Sequence, residues 1–140
     1  MDRKIESANN FQIAKSESIL FDFNKDTLSD DAKAQLDALG SQAKGMSRYM
    51  IEVQGFTDKS GSASYNETLS ERRATCVARY LVNHHQIPLH SISMLGSGYT
   101  QPVADDKTRD GRKMNRRVEV RLWVPESDPP KTTASSEGAR

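Results

Sequence analysis

The sequence predicts an α+β fold, a two-layer sandwich with helices packed on one face of a mixed four-stranded sheet, in the order β-α-β-α-β-β. Three observations carry that prediction. The hydrophobic period switches between two and about 3.6, and back, several times along the chain. RVEVRLWV, residues 117–124, alternates without a break. And Ser29, followed by Asp30 and Asp31, has the chemistry of a helix start, with a capping hydroxyl and two carboxylates at the positive end of the dipole.

The elements follow in order. ILFDFN places Ile19, Phe21 and Phe23 on one face, the period of a first strand. LSDDAKAQLDALGSQAKGM then sets Ala32, Leu36, Leu39, Ala43 and Met46 at steps of four and three, a helix. YMIEVQGF is a second strand with Ile51 and Val53 inward. A second helix starts between Ser62 and Tyr65 and ends near His84, and SISMLG, residues 91–96, is strand three. Strand four points Val118, Val120, Leu122 and Val124 inward and Glu119 and Arg121 outward. Alternating strands and helices imply helices layered on the sheet. Right-handed crossovers make strands one and two parallel if they are neighbours in it.

The chain has 140 residues, the size of one domain, large enough to bury a core without a metal or disulfide staple. The lone Cys76, beside the inner stripe of the second helix, excludes an internal disulfide and reads as a small core residue. Twenty basic residues balance nineteen acidic ones, so no global field attracts nucleic acid or an anionic membrane. MDRKIESANN lacks the apolar stretch of a signal peptide. The protein is therefore either cytosolic or a piece of a longer exported chain. Residues 1–16 carry scattered apolar side chains and read as a linker or the end of an upstream segment. Residues 125–140, PESDPPKTTASSEGAR, read as a disordered Pro/Ser/Thr-rich tail, which leaves 17–124 as the folded unit.

The stretch GFTDKSGSASYNETLSERRA, residues 55–74, leaves the second strand and enters the second helix. Loops at the carboxyl ends of such strands favour ligands. Asp58 lies in the loop. On the helix, Asn66, Leu69, Arg73, Val77 and Tyr80 share one stripe, which puts the Arg73 guanidinium in line with core residues. A partly buried arginine needs a counter-charge and several acceptors. Spacing leaves two readings open: an internal Asp58–Arg73 salt bridge, or a pair facing a ligand.

These residues are familiar. GFTDKSGSASYNETLSERRA, with FDFNKDTL at residues 21–28 before it and GRKMNRRVEVRL at 111–122 after it, resembles the OmpA-like peptidoglycan-binding domain over residues 17–124. The resemblance implies a non-enzymatic module without cofactors. It would hold the meso-diaminopimelate side chain of the cell-wall stem peptide, in the periplasm, as part of an exported outer-membrane-associated protein. Position by position, it implies that Asp58 accepts from the ligand ammonium and that Arg73 forks onto its carboxylate. Asn66 and Thr57 hydrogen-bond the ligand, Leu69 lines the floor, Arg116 approaches from the closing segment, and Asn24 contributes from the first strand's exit. A motor-stator or Tol-Pal type complex is an alternative setting for the same fold. Members with FDFDK or FGFDK carry aspartate where this chain has Asn24, so a charge is missing there. On this reading Asp58→Ala and Arg73→Ala each abolish wall binding and leave the domain folded.

Other signals read as structural. His84, His85 and His90 lack the spacing of a zinc set and read as surface or helix-end residues. LGSGY lacks the third glycine of a dinucleotide loop. KMNRRVEVR has no aromatic platform for nucleic acid. A cell-wall hydrolase needs paired carboxylates or a metal set, and here one strong carboxylate, Asp58, stands opposite an arginine.

Overall fold

The computed structural model describes residues 10–98 and 102–126. Its strands are β1 (Phe11–Leu20), β2 (Met50–Gly55), β3 (Ile92–Gly96) and β4 (Arg117–Pro125), in the sheet order β1-β4-β2-β3. β4 is antiparallel to both β1 and β2, while β2 and β3 are parallel, so the sheet is mixed. β1 and β2 are not neighbours, because β4 inserts between them. That central place explains the clean alternation of β4. Val118, Val120, Leu122 and Val124 are buried on the helix side, and Glu119, Arg121 and Trp123 form a polar ladder with Glu52 on the other.

Helix α1 (Asp30–Lys44) and helix α2 (Ala63–His85) cover one face. The Ser29 side chain caps α1 by accepting from the Ala32 N–H, and Ser62 caps α2 by accepting from the Tyr65 N–H. Ala32, Leu36, Leu39, Ala43 and Met46 meet Ile19, Ile51, Val53, Val77 and Leu81 in one core. Each large aliphatic side chain buried there contributes about 1.5–3 kcal/mol.

Three features depart from the expectations. A short helix, α3 (Arg109–Asn115), precedes β4. RDGRKMN has no apolar stripe to announce it, and Met114 is 49% exposed. It is held instead by polar bonds: Thr108 accepts from the Gly111 N–H at its start, and buried Asn115 bonds the preceding loop at its end. Phe23 does not continue the inward face of the first strand. β1 ends at Leu20, and Phe23 stands 57% exposed in the loop beyond, over the Arg116 guanidinium. Tyr80, the last member of the α2 stripe, is only half-buried, and its hydroxyl donates to Asp37 on α1. His85 reaches the same Asp37 oxygen. Its ring packs so close to Gly40 that a Cβ there would come within 2.6 Å of it.

The domain boundaries also move. β1 begins at Phe11, so the boundary expected at residue 17 cuts through the strand. The polar residues that suggested the end of a linker, AKS at 14–16, belong to an edge strand with a register shift between Ile13 and Lys15, where Lys15 and Glu17 pair on the surface. At the other end Pro125 pairs with Phe11, and Asn10 bonds Glu126. The rest of the expected tail, 127–140, lies outside the described residues, as do residues 1–9 of the expected linker. A domain cut to 17–124 loses six residues of β1 and uncovers the end of β4. It is expected to melt about 5–10 °C below a domain of residues 10–126, a shift that thermal unfolding followed by circular dichroism would read.

Candidate functional site

The site forms where β1, β2 and β3 end and β4 begins. Backbone pairing runs on past the strands and fixes that end. Phe21 N–H donates to Arg116 O, Phe56 N–H to Arg117 O, Ser97 N–H to Gly55 O and Thr57 N–H to Gly98 O. Gly55 lets β2 lie directly on α2, since a Cβ there would fall 2.1 Å from the Ser70 carbonyl oxygen. All seven residues expected from the sequence line one pocket of about 160 Å³: Asn24, Thr57, Asp58, Asn66, Leu69, Arg73 and Arg116. Phe23, Ser60, Gly61 and Tyr65 complete its wall.

Asp58 is 3% exposed. One carboxylate oxygen accepts from the Ser60 N–H at 2.8 Å, and the other accepts from Arg116 at 3.0 Å. Burial pushes its pKa up, but the Ser60 N–H and the Arg116 guanidinium outweigh it and hold the carboxyl below the usual aspartate range. The counter-charge of Asp58 is thus Arg116, and the internal Asp58–Arg73 salt bridge left open by spacing is not the arrangement.

Arg73 is fully buried, and its acceptors are backbone carbonyls. It donates to Lys25 O at 2.8 Å, Asp22 O at 3.1 Å and Phe56 O at 3.2 Å, with the Phe21 ring 5.2 Å from its carbon centre. Three of the five guanidinium N–H groups are used this way. Among the described residues no carboxylate bonds it directly. Burial lowers its pKa to about 10, Arg116 pushes the same way, and the charges of Asp58 and Asp26 oppose both. The pocket floor is therefore a cation short of negative charge.

Beside it lies an unused donor. Asn66 is 1% exposed, and among the described residues its Nδ2 has no hydrogen-bond partner. A buried donor left empty costs about 1–3 kcal/mol, so such an atom marks a place where something else completes the bond. Thr57 donates its hydroxyl to the Asp58 carbonyl, and Leu69 supplies apolar wall. Arg116 is held from a second side by the Phe21 carbonyl. Asn24 sits at φ 60°, in the left-handed region that asparagine tolerates better than most residues, and its amide oxygen accepts from the Tyr65 hydroxyl at 2.5 Å.

Sequence reasoning missed Tyr65, Ser60 and Gly61. Gly61 at φ 89° is the one with a signal, since a glycine just before a capping serine suggests a left-handed turn into the helix. Arg117, the second arginine of the pair, is also buried. It stacks 3.8 Å from the Phe56 ring centre and bonds Glu119, supporting the site from below.

Residues 20–116 match the profile of the OmpA family. Outer membrane protein A of Bordetella avium is 41% identical over 102 residues, covering 73% of this chain and 52% of that protein. The outer-membrane lipoprotein YfiB of Pseudomonas aeruginosa is 36% identical over 110 residues, covering 79% and 65%. The chain thus spans about half the length of the Bordetella relative, and 30% of outer membrane porin F of Pseudomonas aeruginosa. Among solved structures, the peptidoglycan-associated lipoprotein from Burkholderia pseudomallei superposes with a TM-score of 0.71 at 28% identity, covering 75% of this chain and 88% of that one. The C-terminal domain of Helicobacter pylori MotB shares the fold, with a TM-score of 0.68 at 21% identity over 88% of this chain and 92% of that one. With a profile match across most of the described residues and the strand order and pocket described above, the chain belongs to the OmpA family.

Proposed function

We propose that this domain binds bacterial cell-wall peptidoglycan non-covalently, through the diaminopimelate of the stem peptide, and so anchors an exported envelope protein to the wall. The observation that carries the reading is one small pocket with an anion on one side and unmet donors on the other. Asp58 presents a carboxylate held in its charged form, while Arg73 and the empty Asn66 Nδ2 face it with positive charge and a free donor. A zwitterionic end group, an ammonium next to a carboxylate, satisfies both sides at once. At about 160 Å³ the pocket is well below the size that holds a drug-sized ligand, and it suits the end of one side chain.

Support for the wall as the source of that group comes from the relatives. One solved neighbour is a peptidoglycan-associated lipoprotein, and the curated relatives are outer-membrane proteins and an outer-membrane lipoprotein. The domain works as a binding module in the periplasm. Its site has one buried carboxylate tied to an arginine, an arrangement that suits holding a charge.

The test is specificity. A stem peptide with lysine in place of diaminopimelate keeps the ammonium and lacks the neighbouring carboxylate, leaving Arg73 and Asn66 unmet. Sites built to pair a ligand group reject analogues that lack it. Titration calorimetry should show binding at least about tenfold weaker for the lysine peptide, about 1.4 kcal/mol. Equal affinities would mean that the pocket floor does not read the carboxylate.

A further inference from the structure

We infer that Asp106, in the loop before α3, is a positioning residue that holds Asp58 in register with Arg116; the inference rests on the reading of the pocket as a zwitterion site. Asp106 is half-buried, outside the pocket, and joined to it by two bonds. One carboxylate oxygen accepts from the backbone N–H of Lys59, the residue after Asp58, at 3.0 Å. The other accepts from Asn115 Nδ2 at 3.1 Å.

Asn115 is fully buried and makes a closed set of bonds. Its Oδ1 accepts from the Val103 and Ala104 N–H groups at 2.8 and 3.0 Å, and its Nδ2 also donates to the Ala104 carbonyl at 3.0 Å. The next residue, Arg116, bonds Asp58 directly. Two adjacent residues at the junction of α3 and β4 therefore grip the binding loop from two sides. Arg116 takes the Asp58 carboxylate, and Asn115, through Asp106, takes the backbone one residue on. Arg112 fastens the Asp106 carbonyl from α3 as well.

The consequence is rotational. Asp58 is fixed by its own turn to Ser60 and by Arg116, and the Thr57 hydroxyl holds the carbonyl of the peptide between Asp58 and Lys59, so that peptide keeps only the freedom to pivot about its carbonyl unless the Lys59 N–H is held as well. A few tenths of an ångström of drift lengthens a charge-assisted bond and misplaces the acceptor that a ligand ammonium must meet. Asp106 removes that freedom without touching ligand.

Asp106→Ala removes the acceptor for Lys59. Asp106→Asn keeps one, because its amide oxygen can take the Lys59 N–H while Asn115 retains Ala104. Two readouts separate positioning from general stability. By calorimetry, Asp106→Ala should bind the diaminopimelate stem peptide about five- to tenfold more weakly, and Asp106→Asn close to wild type. By carboxyl-carbon NMR titration without ligand, Asp58, which faces the charges of Arg116 and Arg73, should titrate at higher pH in Asp106→Ala and at the wild-type pH in Asp106→Asn. In the wild-type protein the Lys59 amide should exchange slowly with deuterium, a measurement that needs no variant to fold. Rapid Lys59 exchange, or an unmoved Asp58 titration with unchanged affinity in Asp106→Ala, would overturn the inference. Failure of the wild-type protein to bind the peptide would overturn the proposed function instead, and the Asp58 titration would still decide the role of Asp106.

Discussion

Arg73→Ala is expected to destabilise the domain by about 2–4 kcal/mol, as well as to abolish wall binding. The family resemblance implies a substitution that the fold tolerates. The hydrogen bonds argue otherwise. Arg73 stitches three separate carbonyls together, Asp22 and Lys25 from the loop after β1 and Phe56 from the end of β2. Truncation leaves all three without their donor; the buried Phe56 carbonyl loses most, about 1–3 kcal/mol, while the part-buried Asp22 and Lys25 carbonyls regain some hydrogen bonding from water. It also opens a void against Phe21. Part of this is recovered, because the guanidinium is itself costly to bury, as its pKa of about 10 reflects. The net figure is therefore smaller than the sum of the three losses. Urea unfolding should show the midpoint falling with little change in slope, and the melting temperature should drop by roughly 10–20 °C. Arg73→Lys should fall between, since an ammonium keeps the charge but cannot fork to three carbonyls. A melting temperature within a degree or two of wild type for Arg73→Ala would show that these carbonyls find other partners.

The same arginine shows what a sequence can and cannot reveal. Its position on the stripe with Leu69 and Val77 was legible, because helical period places residues on faces without knowledge of what they meet. Its acceptors were not legible. A side-chain spacing argument looks for a carboxylate, whereas the actual partners are main-chain oxygens, which every residue carries and no sequence pattern distinguishes. The carboxylate that spacing offered, Asp58, went to Arg116, 58 positions away. The family resemblance had placed Arg116 at the site, but only as an arm toward ligand.

Elements with a buried face were readable, and elements held by polar bonds were not. α1 and β4 carry unbroken apolar periods, and each lies where those periods predict. β1 is an edge strand with a register shift, so its outer half, Phe11–Ser16, alternates poorly and passed for linker. α3 depends on Thr108 and Asn115 and has no apolar period at all. Phe23 was misplaced for the opposite reason. Alternation continued one residue pair past the end of the strand, although the chain had already turned into the pocket rim. An aromatic that leaves the core just where a binding loop begins is the sort of departure that marks a site.

Asp58→Asn separates charge from shape at the other pole of the pocket. The amide oxygen can still accept from the Ser60 N–H, so the turn that carries the side chain survives. Arg116 loses its ion pair but keeps the Phe21 carbonyl and reaches solvent with 13% of its side chain, which limits the cost to the fold. The variant should therefore melt within a few degrees of wild type with an unchanged circular dichroism spectrum. Binding should suffer far more. A ligand ammonium drawn into the pocket would meet two arginines and no anion, a loss of about 2–5 kcal/mol, or at least roughly thirtyfold. The pH dependence follows from the same carboxylate. Its folded pKa is depressed, so its contribution to stability is fully present above the unfolded aspartate value and is lost as pH falls through the lower folded one. Wild-type binding should accordingly persist at pH 5, where an ordinary aspartate is still mostly charged, and weaken only in stronger acid. Asp58→Asn should show a flat, weak profile across that range. Pulldown with cell-wall sacculi, alongside calorimetry with the stem peptide, reads both. If Asp58→Asn holds the peptide as tightly as wild type at pH 7, the anion in this pocket serves Arg116 alone, and the ligand ammonium has to be sought elsewhere.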